Sequence, residues 1–155
     1  MDFRVSREAF LRVLTHVSSI VDSRSTIPIL SNIYIKCDNN QIEIRSTDMD
    51  ISIREFVSTD SSKNGEATVN SRILTDIIRK TKKNSIVKCK LEGNRLIINS
   101  DNSVFELNAL TADEFPKFFP LEQTTSFEST VSQIKRLFNK TKFAISAEEL
   151  SLIHI

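Results

Sequence analysis

The chain has 155 residues, with 21 Lys and Arg against 20 Asp and Glu, 39% hydrophobic content and 26% charged. That is room for one good core and part of a second, at the composition of a soluble globular protein. No apolar run nears the roughly 20 residues of a membrane helix, the Met-Asp-Phe-Arg-Val start is no signal peptide, and two glycines cannot build a glycine-rich phosphate loop. A membrane partner is therefore not expected, and the cytoplasm is the expected setting.

In chain order, Phe3–Val5 reads as a short strand and Ser6 as an N-cap. Phe10, Leu14, Val17 and Val21 then recur at helical spacing, with Leu11, Val13 and Ile20 broadening the stripe. A polar stretch carrying Arg24 follows. Pro28, which has no N–H to give, is expected to open a strand running to Cys37. Asp38-Asn39-Asn40 is a turn, Gln41–Ser46 a strand with Ile42 and Ile44 on one face, and Ile51–Val57 another. The run Asp60–Gly65 reads as a surface turn.

The pattern then restarts. Ala67–Val69 is a strand, Asn70 a cap, and Ile73, Leu74, Ile77 and Ile78 a helix stripe. Ile86–Leu91, a turn at Glu92-Gly93-Asn94, Arg95–Ser100 and Val104–Leu110 complete the copy. Phe10, Val13 and Leu14 fall on Leu74, Ile77 and Ile78 at an offset of 64, and the two hairpin turns at an offset of 54. The ten-residue difference is the segment with Arg24. A third start appears at Phe127, with Thr130 as cap and Ile134, Leu137 and Phe138 as stripe. Between copies two and three, Thr111–Thr125 reads as a linker whose aromatics pin it to the surface. Internal duplication of this kind organises the chain as an α+β protein of β-α-β-β-β halves, two helices packing on antiparallel sheets. Cys37 and Cys89 sit in strands and read as buried free thiols.

Charge is segregated. The helical segments 7–21, 71–83 and 131–142 hold eleven of the 21 cations and only two of the 20 acids, Glu8 and Asp76. If each helix covers the same face of its strands, that face attracts nucleic acid through counterion release without reading bases. Asp48 and Asp50 lack companion ligands, so turn chemistry explains them better than a metal site. His16 has no partner at a catalytic spacing, and no nucleophile, base and oxyanion hole assemble. Neither a metal nor another cofactor is implied.

Arg-Ser-Thr-Ile-Pro-Ile-Leu-Ser-Asn at 24–32, followed by Ser46-Thr47-Asp48-Met49-Asp50, resembles the first domain of the bacterial DNA polymerase III β sliding-clamp family, over Met1 to about Glu149. The resemblance implies a DNA clamp fold with a first domain over 1–120 and the start of a second over 121–149. It implies a non-enzymatic processivity factor that encircles duplex DNA and tethers the replicative polymerase. Arg24, Arg72 and, where the family often has glutamine, Glu148 fall on its DNA-contact positions. Arg79, Lys80, Lys135 and Lys140 join them as candidate phosphate contacts. Val104, Phe105 and Leu107 fall where the family meets a partner subunit in a head-to-tail homodimer. Partners of the intact family are duplex DNA, the polymerase III alpha subunit and the clamp loader, the last two through domains this chain lacks. Leu150–Ile155 departs from the family and is expected to be foreign to the fold. The alternative reading is a standalone basic-faced nucleic-acid-binding module.

Overall fold

The computed structural model describes residues 1–21, 27–117 and 127–145. Contacts divide the chain into two units, Met1–Phe118 and Phe119–Ile155.

In the first unit the duplicated pattern becomes two interlocked halves. Strand β1 (Asp2–Ser6), helix α1 (Arg7–Val17) and strands β2 (Asn32–Asp38), β3 (Gln41–Thr47) and β4 (Ser52–Ser58) form one half. After the short β5 (Asp60–Lys63), strand β6 (Gly65–Asn70), helix α2 (Ser71–Lys80) and strands β7 (Ile86–Glu92), β8 (Arg95–Ser100) and β9 (Ser103–Leu110) form the other. The nine strands make one antiparallel sheet ordered β4-β3-β2-β6-β9-β8-β7-β1-β5. The first strand of each half pairs with the second strand of the other. Phe3 lies opposite Cys89 on β7, and Val69 lies opposite Ile33 on β2. Neither half can close its sheet alone.

Both helices bury one stripe in one core. Phe10, Val13, Leu14 and Val17 of α1 join Leu74 and Ile78 of α2, over Ile33, Ile35, Ile42, Ile44, Leu96 and Ile98 from the strands. Alternation along β2 and β3 sends Tyr34 and Arg45 to the opposite face, where the Arg45 guanidinium sits 4.9 Å from the Tyr34 ring centre. Cys37 and Cys89 are buried free thiols. At the β2–β3 hairpin Asn39 and Asn40 take φ of 45° and 62°, the left-handed pair of a two-residue turn whose twist matches its strands.

Four local expectations change. Pro28 opens a 3-10 turn, Pro28–Ser31, rather than a strand. Its fixed φ and missing N–H suit a first helical position equally well, and the strand starts at Asn32. Within the expected turn 60–65, Asp60–Lys63 is a strand paired with β1. A short polar run with no apolar alternation gives no sign that an edge awaits it. Ile73 is 53% exposed, because at 100° per residue it lies off the Leu74–Ile78 stripe. Leu137 and Phe138 are likewise exposed, at 61% and 67%.

Phe115 is buried, its ring 5.7 Å from that of Tyr34, and a 3-10 turn at Ala112–Glu114 leads into it. In the second unit, helix α3 (Val131–Thr141) begins with a capping box. The Thr130 hydroxyl accepts from the Gln133 N–H, and the Gln133 side chain accepts from the Thr130 N–H.

Candidate nucleic-acid interface

Helices α1 and α2 lie side by side and antiparallel, held at both ends. At one end Arg7, the first residue of α1, donates from Nε to the Ile78 carbonyl (3.2 Å) and from Nη2 to the Arg79 carbonyl (2.8 Å). It satisfies C-terminal acceptors of α2 that the helix leaves open. Beside it the Glu8 carboxylate accepts the Asn84 N–H at 2.7 Å, and that bond, helped by Arg7, holds its pKa below the ordinary 4.5 against partial desolvation. At the other end the Ser18 hydroxyl meets those of Ser71 (2.8 Å) and Thr75 (2.9 Å).

This clasp decides which cations face outward. Arg7 is only 11% exposed at its side chain and is committed to α2. Arg12, Arg72, Arg79, Lys80, Lys82 and Lys83 are exposed. On α2, Arg72, Asp76 and Arg79 stand at i, i+4 and i+7, opposite the buried Leu74–Ile78 stripe, with Lys80 on the flank of that column. Asp76 accepts from Arg79 Nη1 at 2.7 Å, so it offsets one arginine of the column and leaves Arg72 and Lys80 without an ion pair among the described residues. A groove of about 780 Å³ runs past the end of α1 and the start of α2, lined among others by Ser18, Val21, Ser31, Asn70, Arg72 and Arg79. The same helix pair thus offers cations, hydroxyls and a concave wall together, a combination suited to a polyanionic backbone.

In the second unit Lys135, Arg136 and Lys140 are exposed on α3. Arg136 and Lys140 lie opposite the Ile134–Phe138 stripe and Lys135 on its flank. Arg24 and Glu148 lie outside the described residues, as does the tail at 150–155.

Asp48 takes the turn role expected of it. Its Oδ1 accepts the N–H groups of Asp50 (3.0 Å) and Ile51 (2.7 Å). His16 is held by Glu55 of β4 at 2.9 Å.

The three residues expected at a subunit contact are all on β9. Leu107 points into the core at 6% exposure, Phe105 is half-buried, and Val104 is 64% exposed on the outer face. Although β9 lies inside the strand order, β6 covers it only at Ala109 and Leu110, so among the described residues Val104–Asn108 has β8 on one side and an open edge on the other. Reading the sequence missed the clasp of Arg7. Its one signal is a cation in a helix's first turn, where the dipole disfavours it.

A family profile described as DNA polymerase III beta subunit, N-terminal domain, matches residues 1–119. The chain is 29% identical over 151 residues to a beta sliding clamp of Pseudomonas aeruginosa, covering 97% of this chain and 41% of that one. It is 33% identical over 151 residues to the beta sliding clamp of Caulobacter vibrioides, covering 96% and 41%. Among solved structures, Caulobacter crescentus pol III beta superposes with a TM-score of 0.92 at 33% identity, over 96% of this chain and 40% of that one. A sliding clamp from Bartonella birtlesii bound to griselimycin gives 0.93 at 33% identity, over 97% and 40%. The chain therefore spans about two-fifths of the length of the relatives it matches.

Proposed function

The chain belongs to the DNA polymerase III beta subunit family, and on that premise we propose that it forms the first domain, and the start of the second, of a sliding clamp that encircles duplex DNA and tethers the replicative polymerase. The observation that carries this is the column of Arg72, Arg79 and Lys80 on the exposed side of α2. Those cations stand on the helix layer, away from the Tyr34 and Arg45 face of the sheet, so a duplex lying along the helices meets flexible charge. Such contacts are weak one at a time and carry no base information. A ring has no need of more, because a closed ring is retained by topology.

Arg24, Arg72, Arg79, Lys80, Lys135, Lys140 and Glu148 are the residues proposed to approach DNA. The role is non-catalytic: the chain supplies positioning, and chemistry belongs to the tethered polymerase. The edge of β9 with Val104, Phe105 and Leu107 is proposed to meet a second subunit, since an exposed strand edge is a template for pairing. The polymerase alpha subunit and the clamp loader are expected to engage parts of the ring outside this chain. The setting is the cytoplasm.

The test uses the full-length protein. Loaded on a nicked circular plasmid and passed through a sizing column, it is expected to stay with the circle and to be lost once the plasmid is linearised. Equal retention on circle and line overturns encirclement and leaves a basic-faced module that binds without enclosing.

A further inference from the structure

An asparagine loses its amide most readily where the next residue leaves its side chain open to attack, and in this chain only Asn64 precedes a glycine. The main-chain nitrogen of the following residue closes a five-membered ring on the side-chain carbonyl carbon, and a Cβ on that residue crowds the approach. A strand holds its residues away from the ring geometry as well. Asn64 escapes both limits. It is exposed and stands alone between the end of β5 at Lys63 and the start of β6 at Gly65.

Packing explains why the glycine is there. A Cβ built on Gly65 would lie 2.9 Å from the Met1 nitrogen and 3.1 Å from the Met1 Cβ. Seating the first residue of the chain beside β6 therefore requires glycine, and the same glycine opens Asn64 to its neighbour. The Asn64 side chain also has a structural task. Its Nδ2 donates to Asp38 Oδ1 at 2.9 Å, tying the β5–β6 junction to the β2–β3 hairpin. Nearby, the Ser61 N–H and hydroxyl donate to Asn40 Oδ1 at 3.1 and 3.0 Å. Strand β5 depends on such ties. It has four residues at the end of the sheet, and its pairing with β1 is irregular between Asp2 and Phe3.

We propose that Asn64 is a modification site, deamidating in water without an enzyme, and that the product loosens β5 from β1. The Gly65 nitrogen bonds to Cγ of Asn64, the Cγ–Nδ2 bond breaks, and the amide leaves as ammonia with the proton that Gly65 gives up. One water then opens the succinimide. Opening at Cγ gives aspartate. Opening at the former main-chain carbonyl, made more electrophilic by the amide nitrogen on Cα, gives isoaspartate, whose main chain runs through Cβ and is one methylene longer. Amide and water are consumed, acid and ammonia are released, and no oxidant or reductant takes part. Either product removes the donor to Asp38, and aspartate sets a second carboxylate against the first. The added methylene of isoaspartate falls beside the Met1–Gly65 contact, where the packing leaves no room.

The experiment ages the 155-residue chain for days in warm, mildly alkaline buffer. Peptide mapping by mass spectrometry reads the amide-to-acid mass gain at each asparagine, an isoaspartyl-specific methyltransferase counts isoaspartate, and hydrogen exchange follows the β5 amides. Asn102 is the comparison within the same molecule, exposed in the β8–β9 turn but followed by Ser103. Asn64 is expected to convert many times faster than Asn102, with isoaspartate the major product. Asn64→Gln is expected to lose the gain, because its longer side chain would have to close a six-membered ring. Amides of Asp60–Lys63 are expected to exchange faster in the aged chain than in the fresh chain or in aged Asn64→Gln. An Asn64 that keeps its amide, or converts no faster than Asn102, overturns the site. Conversion at Asn64 with β5 exchange unchanged overturns the loosening of β5.

Discussion

The placement of the cations makes a quantitative prediction about salt. If this chain binds duplex DNA as proposed, binding releases counterions in proportion to the phosphates met, and each contact contributes about 0.9 to the slope of log K against log salt. Arg72 and Lys80 are exposed on the outer side of α2 and have no ion pair among the described residues, so each is available to one phosphate. Replacing both with Gln should lower the slope by roughly 1.8. Arg79 already meets Asp76 at 2.7 Å, so Arg79→Gln should lower it by less than either neighbour. Arg7 provides the control. Its guanidinium bonds two carbonyls of α2, so Arg7→Met should leave the slope unchanged while costing about 1 kcal/mol of stability through the lost bonds, the Ile78 carbonyl keeping its bond from the Thr81 hydroxyl. Fluorescence anisotropy with a labelled duplex between low and moderate salt measures the slopes, and urea unfolding the stability. Equal slopes for wild type and the Arg72, Lys80 double variant would refute the reasoning, as would a slope loss in Arg7→Met.

Two further outcomes follow from the packing and the carboxylates. Leu74→Ala removes a fully buried side chain at the junction of α2 with the shared core and should cost about 2–5 kcal/mol in urea unfolding; because the halves interlock, the loss should appear as one cooperative transition, and a separate early melt of α2 would contradict that. Glu8 and Glu43 both have pKa values below the ordinary 4.5, Glu8 through the Asn84 N–H and Glu43 through its bond from Arg45. Their folded values are depressed, so the stability they add is complete above about pH 4.5 and is lost as pH falls through those folded values; Glu43→Gln should therefore lower stability at neutral pH and flatten the acid side of the profile, wild type and variant converging as the pH falls.

Much of this chain is written locally. Helix stripes at Phe10–Val17 and Leu74–Ile78, caps at Ser6, Asn70 and Thr130, and the left-handed pair Asn39-Asn40 each depend on residues within a few positions of one another. Periodicity and cap chemistry expose them directly, and the offset of 64 between the stripes exposes the duplication. The resemblance carried by residues 24–32 and 46–50 supplied the family, and Arg72 with it. Pairing partners are a different matter. A period of two tells which face of a strand is buried and nothing about which strand lies beside it. Only the folded chain decides that β1 pairs across to β7 and β6 to β2, that the polar run Asp60–Lys63 is drawn into the sheet beside β1, and that β9, among the described residues, keeps an open edge from Val104 to Asn108. The same holds for charge. Composition counts Arg7 and Arg72 alike, but the antiparallel seating of α1 on α2 turns one guanidinium inward onto carbonyls and leaves the other outside. Long-range backbone hydrogen bonds and helix–helix contact, whose entropic cost is met only by the whole core at once, made those choices.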